Sequence, residues 1–354
     1  KPELPAFETR AGVELHRFPN PAGFFYWNWR QENASASALL RRLRRRTGEK
    51  TIVILCHAFL APAARRERGN TLFLFTGPWA EEFLFARRAL TRSRWQCWRD
   101  NVIASMMRRT EREALQNVRG VLTISRYYEK QLPLWHGPQL APVTMISGGV
   151  NLDQFRPLQE RLEIRARFGL ASEQFLFLTL RRLDPRMGLM TLIEAFAAVQ
   201  PEFPQARLWL AGQGSYREAL ERKIQEGNLE GKAKLVGFIP ELDLPSYLNA
   251  ADCMVMPSLD LEGLGLATLE SLACGTPVLG SRAGATPELL SPLDPELLFD
   301  PDSASDLARK LRWVLSKPDV LPTSVRCRQH VQNHFTWDRT VSALEHACRE
   351  GAAH

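Results

Sequence analysis

No apolar run in this 354-residue chain approaches the eighteen or so residues that a helix needs to cross a bilayer. A membrane-spanning helix is therefore not expected, and the protein is expected in the cytoplasm or held peripherally on the inner face of a membrane. Cysteine is sparse: the six residues at 56, 97, 253, 274, 327 and 348 include no CxxC pair. That scatter predicts free, buried thiols in a reducing compartment rather than disulfides. The seven histidines are not gathered with cysteines into a metal-ligand pattern, so no structural metal is expected. Lysine is scarce, with eight residues in the whole chain. No strand followed by a glycine-rich turn precedes Thr51, although a doubly wound domain normally opens with one. The chain also begins at Lys1 rather than Met. A shortened or degenerate first domain is one expectation, and a removed leader is compatible with the same sequence.

What is present is a soluble, globular composition with an uneven charge. Residues 1–150 hold 24 Lys and Arg against 12 Asp and Glu, a net +12, whereas the remainder carries 22 against 27, a net −5. Arg41, Arg42, Arg44, Arg45 and Arg46 form one cluster, and FLFARRALTRSRWQCWR, from Phe83 to Arg99, interleaves arginine with aromatics. Such a half suits anionic lipid headgroups or a polyanionic acceptor. A solvated arginine-rich surface is the plain alternative. Nucleic acid is not expected, because it leaves the carboxylates described below without a role.

Short apolar runs at 51–56, 71–75, 121–124, 143–146, 175–180, 207–211, 234–236, 254–256 and 277–279 alternate with helical stretches such as 189–199 and 216–226. Runs without polar alternation suit strands covered on both faces, and the alternation predicts parallel α/β sheets. The glycines and proline of SGGVNLDQFRP (147–157) interrupt the pattern. They predict a junction between a first domain over 1–150 and a second over 151–334, with a terminal amphipathic helix over 335–354. Two facing sheets of this kind place a ligand beyond the carboxyl ends of their strands, in the cleft.

The most informative segment is EGLGLATLE, residues 262–270. Apolar spacing from Leu266 to Ala273 predicts a helix, whose first turn presents unpaired N–H groups and the positive end of its dipole. Gly263 and Gly265 let a ligand approach that backbone, and Leu264 and Leu266 add further N–H groups, the arrangement that holds a phosphate or diphosphate. Glu270, inside the helix, is placed to accept hydrogen bonds from a ribose. Glu262 precedes it, where it would meet the group carried on the phosphate.

SGGVNLDQFRP, RRLDPRMGL, AGQGSYREAL and PSLDLEGLGLATLESLACGTPVLGSRAG follow in that order. Together they resemble the family-four retaining glycosyltransferases of the GT-B fold, densely from about residue 120 to 337 and more loosely over 52–86. LFTGPWAEE and the RMGL ending of the second motif resemble a bacterial subgroup. The resemblance implies two Rossmann-like domains, the C-terminal helix crossing back to the first of them. It also implies a nucleotide-diphosphate-sugar donor in the second domain, a glycan or lipid-linked acceptor on the first, no cofactor and no metal. Arg182 is then the side-chain donor to the leaving diphosphate, and Glu262 and Glu270 hold sugar and ribose. Met187 stands where the family usually has lysine, so Arg186 is the candidate for a second cation. Gly212 and Gly214 are expected beside the nucleotide, and Phe238 near its base, with a plain turn and a core ring as the alternatives. On the acceptor side the candidates are His57, Thr76, Gly77 and Trp79, with His57 orienting acceptor or sugar. Thr76 occupies a position where the family often has histidine. Two other readings stay open: a non-catalytic binder of nucleotide-sugar, and a sugar phosphorylase of the same fold. The latter, if dependent on pyridoxal phosphate, lacks a lysine in any recognisable motif.

Overall fold

The computed structural model describes residues 7–16, 25–47, 51–88 and 93–350. The first unit is built on a parallel sheet of four strands, β3 (Val53–Leu55), β4 (Thr71–Phe75), β5 (Gly120–Thr123) and β6 (Val143–Met145), which lie side by side in sequence order. Helices α2 (Trp79–Arg88), α3 (Arg94–Gln116) and α4 (Arg126–His136) supply the crossovers, together with a 3-10 segment, Ala58–Asn70. Apart from this sheet stand a hairpin of β1 (Phe7–Arg10) and β2 (Val13–His16), and helix α1 (Phe25–Thr47). β2 is thus half of a separate hairpin and not a strand of the parallel sheet. The Arg-rich segment lies in a helix, where Arg46 binds Glu14 and Arg42 lies 3.2 Å from His16 Nδ1. Among the described residues, no strand before β3 joins the parallel sheet.

The second unit starts with α5 (Arg161–Arg167) and continues through β7 (Phe175–Leu180), α6 (Leu189–Val199), β8 (Ala206–Ala211), α7 (Arg217–Glu226) and β9 (Ala233–Gly237). It returns through α8 (Leu244–Ala250), β10 (Cys253–Met256), α9 (Leu266–Ala273), β11 (Val278–Ser281), α10 (Thr286–Leu290) and β12 (Leu298–Phe299), and ends in α11 (Ala304–Ser316) and α12 (Ser324–His334). Its six strands are parallel in the order β12-β11-β10-β7-β8-β9. That is the doubly wound Rossmann order, and its reversal lies between β7 and β10, where ligands bind. The strands are apolar on both faces because helices cover both: β10 and β11 are buried along their whole length.

The last helix, α13 (Trp337–Glu350), returns to the first unit. Ala343, Leu344, Ala347 and Cys348 pack with Leu72 and Leu122 of the first sheet, and Arg119 donates to the Cys348 carbonyl. Trp337 and Val341 of the same helix are exposed. The two crossing segments lie together, for Val150 N donates to Phe335 O at 3.0 Å and Thr340 Oγ1 to Ser147 O at 2.8 Å. All six cysteines are free, but only Cys253, Cys274 and Cys327 are buried, so the expectation of buried thiols holds for half of them. His330 and His334 stand one turn apart on α12, a pairing the sequence reading passed over. His330 Nε2 lies 2.9 Å from the Leu289 carbonyl, and the described residues contain no group of three potential metal ligands.

Candidate functional site

β7 ends at Leu180 and delivers two arginines to its carboxyl end. Successive residues of an extended chain point to opposite sides, and these two separate accordingly. The Arg181 side chain is only 8% exposed; its guanidinium pairs with Glu262 and lies 2.7 Å from Met187 Sδ. Arg182 is exposed and has no partner among the described residues. Sequence reasoning missed Arg181, because an Arg-Arg pair does not reveal which member turns inward.

The loop after β10 carries the second half of the site. Glu262 is buried and accepts from Arg181 and, at 2.7 Å, from Ser258 Oγ. Burial alone would raise its carboxyl, but the Arg181 charge, with hydrogen bonds from Arg181 and Ser258, outweighs that and holds it below the usual range. Next to it Leu261 sits at φ +57°, a strained conformation for a large side chain. Its carbonyl accepts from Arg186 Nη1 at 2.9 Å and from the Tyr128 hydroxyl at 3.4 Å. Arg186 also donates to Asp260 O at 3.1 Å and to Glu82 Oε1 at 3.3 Å. Arg186 was expected to supply a second cation to the diphosphate. Here it is a buried brace that ties the 260–261 backbone to α2 of the first unit through Nη1 and Nη2.

This loop is also where the units meet. Tyr128, at the start of α4, is 1% exposed, and a Cβ on Gly263 would lie 2.7 Å from its ring. Glu288 of α10 accepts the Arg126 and Tyr127 N–H groups and so caps α4 across the cleft. Neither Tyr128 nor Glu288 carried a sequence signal, because their roles depend on the docking of the two units.

Gly265 is the residue before α9 and lies in the left-handed region at φ +76°, which turns the chain into the helix. The N–H groups of residues 263–266 have no acceptor among the described residues. The Glu270 carboxylate, one turn into α9, likewise has no hydrogen-bond partner there, and burial, with a smaller contribution from Glu241, pushes it up to about 7. Gly212 and Gly214 answer to close packing. A Cβ would lie 1.8 Å from Arg181 O at the first and 2.1 Å from Leu183 O at the second. They let the loop after β8 lie directly on the loop that carries Arg182. Phe238, just beyond β9, is 66% exposed rather than in the core.

On the first unit, His57, Thr76, Gly77 and Trp79 line one cavity of about 160 Å³ with Glu82 and Glu111. The His57 ring meets Trp79 edge-on at 5.3 Å, and its Nδ1 accepts from Phe59 N at 3.2 Å. That bond leaves the proton on Nε2, and burial holds the imidazole below its usual range, neutral at pH 7. Glu111, from α3, was not foreseen. It accepts the Trp79 N–H at 2.8 Å and so caps α2. Its other oxygen has no hydrogen bond and stands 3.9 Å from Nε2 of buried His136.

Burial pushes Glu111 up to about 7 and His136 down to about 4. Raising the Glu111 value gives stability that is lost as pH climbs from about 4.5 to 7. Depressing the His136 value gives stability that is lost as pH falls from about 6.5 to 4. Across the overlap the two oppose each other. Glu111→Gln leaves His136 uncompensated, so acidification from pH 6.5 to 4.5 should cost the variant up to about 3 kcal/mol more than the parent. Urea unfolding at several pH values measures this, and parallel curves for the two proteins would refute it.

Residues 160–334 match the family described as "Glycosyl transferases group 1". A GDP-mannose-dependent alpha-(1-6)-phosphatidylinositol monomannoside mannosyltransferase of Mycolicibacterium smegmatis is 34% identical over 188 residues, 51% of this chain and 49% of that protein. A D-inositol 3-phosphate glycosyltransferase of Saccharomonospora viridis is 32% identical over 221 residues, 60% of this chain and 51% of that protein. The matches to these relatives thus span about half of their length. Among solved structures, sucrose-phosphate synthase from Thermosynechococcus elongatus superposes with a TM-score of 0.81 at 24% identity, over 99% of this chain and 86% of that one. The two parallel-sheet units, the Rossmann strand order and these likenesses agree: the chain has the GT-B fold, and residues 160–334 match the glycosyl transferases group 1 family.

Proposed function

We propose that the chain transfers a sugar from a nucleotide-diphosphate-sugar to a hydroxyl of a lipid-linked or polysaccharide acceptor, with retention at the anomeric carbon and without a metal. The observation that carries this reading is the start of α9, where unpaired N–H groups of residues 263–266 lie beyond the carboxyl end of β10, next to the β7 loop with its unpaired Arg182. Main-chain N–H groups at a helix start with a nearby guanidinium are a fitting receptor for a diphosphate. The Glu270 carboxylate, with no hydrogen-bond partner among the described residues, is available to the ribose hydroxyls. The relatives' names, with GDP-mannose as donor and phosphatidylinositol mannoside as acceptor in one case, fit the same substrate classes.

Transfer breaks the bond between C1 and the phosphate oxygen, and the negative charge it leaves falls on the diphosphate, where Arg182 and the α9 N–H groups stabilise it. The acceptor oxygen attacks C1 from the face that the phosphate leaves, and its proton passes to a phosphate oxygen. Glu262 is a poor covalent nucleophile because Arg181 and Ser258 already hold its carboxylate. It orients the sugar instead. His57, neutral with Nε2–H free, is placed to donate to acceptor or sugar. The bacterial subgroup suggested by LFTGPWAEE and RMGL, and a peripheral contact of the basic first half with anionic membrane, belong to the same reading.

A second reading, nucleotide-sugar binding without turnover, is favoured by one observation: Met187 and the bracing Arg186 leave Arg182 without a second side-chain cation from its own loop. Release of nucleoside diphosphate from its sugar conjugate, in EDTA and with candidate acceptors, separates the two. Turnover with an anomerically retained product supports transfer, and saturable binding with no release supports the second reading. In either case Glu270→Ala should weaken nucleoside diphosphate binding by about 1–3 kcal/mol, roughly five- to 150-fold. Unchanged calorimetric affinity would remove Glu270 from the ribose site.

A further inference from the structure

Helix α3 is apolar on two opposite sides. The inner side carries Ala104, Met107, Ala114 and Leu115, all buried in the first unit. The outer side carries Trp95, Trp98, Val102 and Met106, which are 64%, 61%, 41% and 57% exposed. Their spacing of three, four and four residues places them in one line, about 16 Å long at the rise of an α-helix. A solvated helix face normally carries polar residues there, and a stripe with two exposed tryptophans marks an interaction surface. Arginine borders it: Arg99 lies beside the line with its guanidinium 5.6 Å from the Trp95 ring, Arg94 precedes it, and Arg109 lies beyond its far end. A capping box of Ser93 and Gln96 fixes the first turn, so the tryptophans are held in place on a formed helix.

We infer that this outer face of α3 is the membrane-docking surface of the protein, seated in the headgroup region of an anionic bilayer. The occupant follows from the chemistry of the face. Indole rings in a row with guanidinium groups at the border match the boundary between acyl chains and anionic headgroups. The half of the chain that carries α3 holds the excess of positive charge, net +12 over residues 1–150. No helix among the described residues is long and apolar enough to cross a membrane, so the contact is one of lying on the surface. The Arg41–Arg46 cluster is the weaker candidate, because no exposed large apolar side chain accompanies it among residues 31–46. This inference rests on the peripheral membrane contact proposed above and assigns it to α3, but vesicle binding and nucleotide binding are measured separately and each can fail alone.

The test is sedimentation of the whole chain with vesicles of phosphatidylcholine, with and without a third of phosphatidylglycerol, at physiological salt. The parent should bind the anionic vesicles at least tenfold more tightly than the neutral ones. W95S/W98S and R94Q/R109Q should each lower that partition roughly tenfold or more, with nucleoside diphosphate affinity and unfolding midpoint unchanged, since the ion pair of Arg109 to Glu113 is exposed. Brominated acyl chains should quench tryptophan fluorescence in the parent and much less in W95S/W98S. Three results would overturn the inference: no binding of the parent to anionic vesicles; equal binding by W95S/W98S and parent, which would mean charge alone attracts the protein; or a dimer of the parent that W95S/W98S dissolves, which would mean that the face covers a second copy.

Discussion

Alanine in place of Glu262 is expected to cost the fold about 3–5 kcal/mol, roughly a fifth or more of the stability of a typical domain. The reason is the arginine it leaves behind. The side chains of Arg181 and Glu262 are 8% and 11% exposed, and Arg181 Nε already lacks a partner. Without the carboxylate a buried guanidinium is uncompensated, and Ser258 Oγ loses its acceptor. Glu262→Gln keeps an acceptor oxygen and should lose less. The double variant R181M/E262M, which removes both charges, should recover much of the loss because an apolar pair replaces a desolvated one. Acid adds a second signature. Glu262 titrates below its ordinary value in the folded protein, so its contribution is complete above that value and is lost as pH falls through the depressed one. The Gln variant should lack that component. Urea unfolding followed by tryptophan fluorescence measures all of this, and an unchanged midpoint for Glu262→Ala would refute the buried pair.

Arg182→Ala should do the reverse. Arg182 is exposed and without a partner among the described residues, so its loss should move stability by no more than about 0.5 kcal/mol. Its guanidinium is nevertheless the side chain offered to the charge that develops on a leaving diphosphate. Removing one such donor lowers turnover by about two to three orders of magnitude. Its neighbour gives the control: Arg181→Ala should unfold the protein more easily, as Glu262→Ala does. Two adjacent arginines are thus distinguished by their readouts, one kinetic and one thermodynamic. A drop in turnover of threefold or less for Arg182→Ala would dismiss it as the phosphate donor.

Much of this architecture was legible because apolar runs report burial directly. The ranges 71–75, 175–180 and 189–199 match β4, β7 and α6, and the helix expected from Leu266 to Ala273 is α9. β12 was missed because two residues hold no periodicity, and α1 because its Arg-rich end looks like a polar loop. The site was legible as a loop-helix junction with two carboxylates, which is a local pattern. What one sequence did not disclose were pairings between distant segments. Arg186 was read as a phosphate donor, yet it braces the 260–261 backbone against Glu82, 104 residues away in sequence. Glu262, the expected sugar carboxylate, has one oxygen claimed by Arg181, which the sequence does not single out. Glu111 carries no local pattern that marks its carboxylate as the cap of another helix.

Calorimetric titration of the chain with ADP, GDP and UDP in EDTA tests the central claim most directly. At least one of them should bind saturably, and Arg182→Ala and Glu270→Ala should both weaken that binding while leaving the fold intact. If none of the three binds the folded parent, the α9 junction is not a diphosphate receptor, and the proposed transfer reaction fails with it.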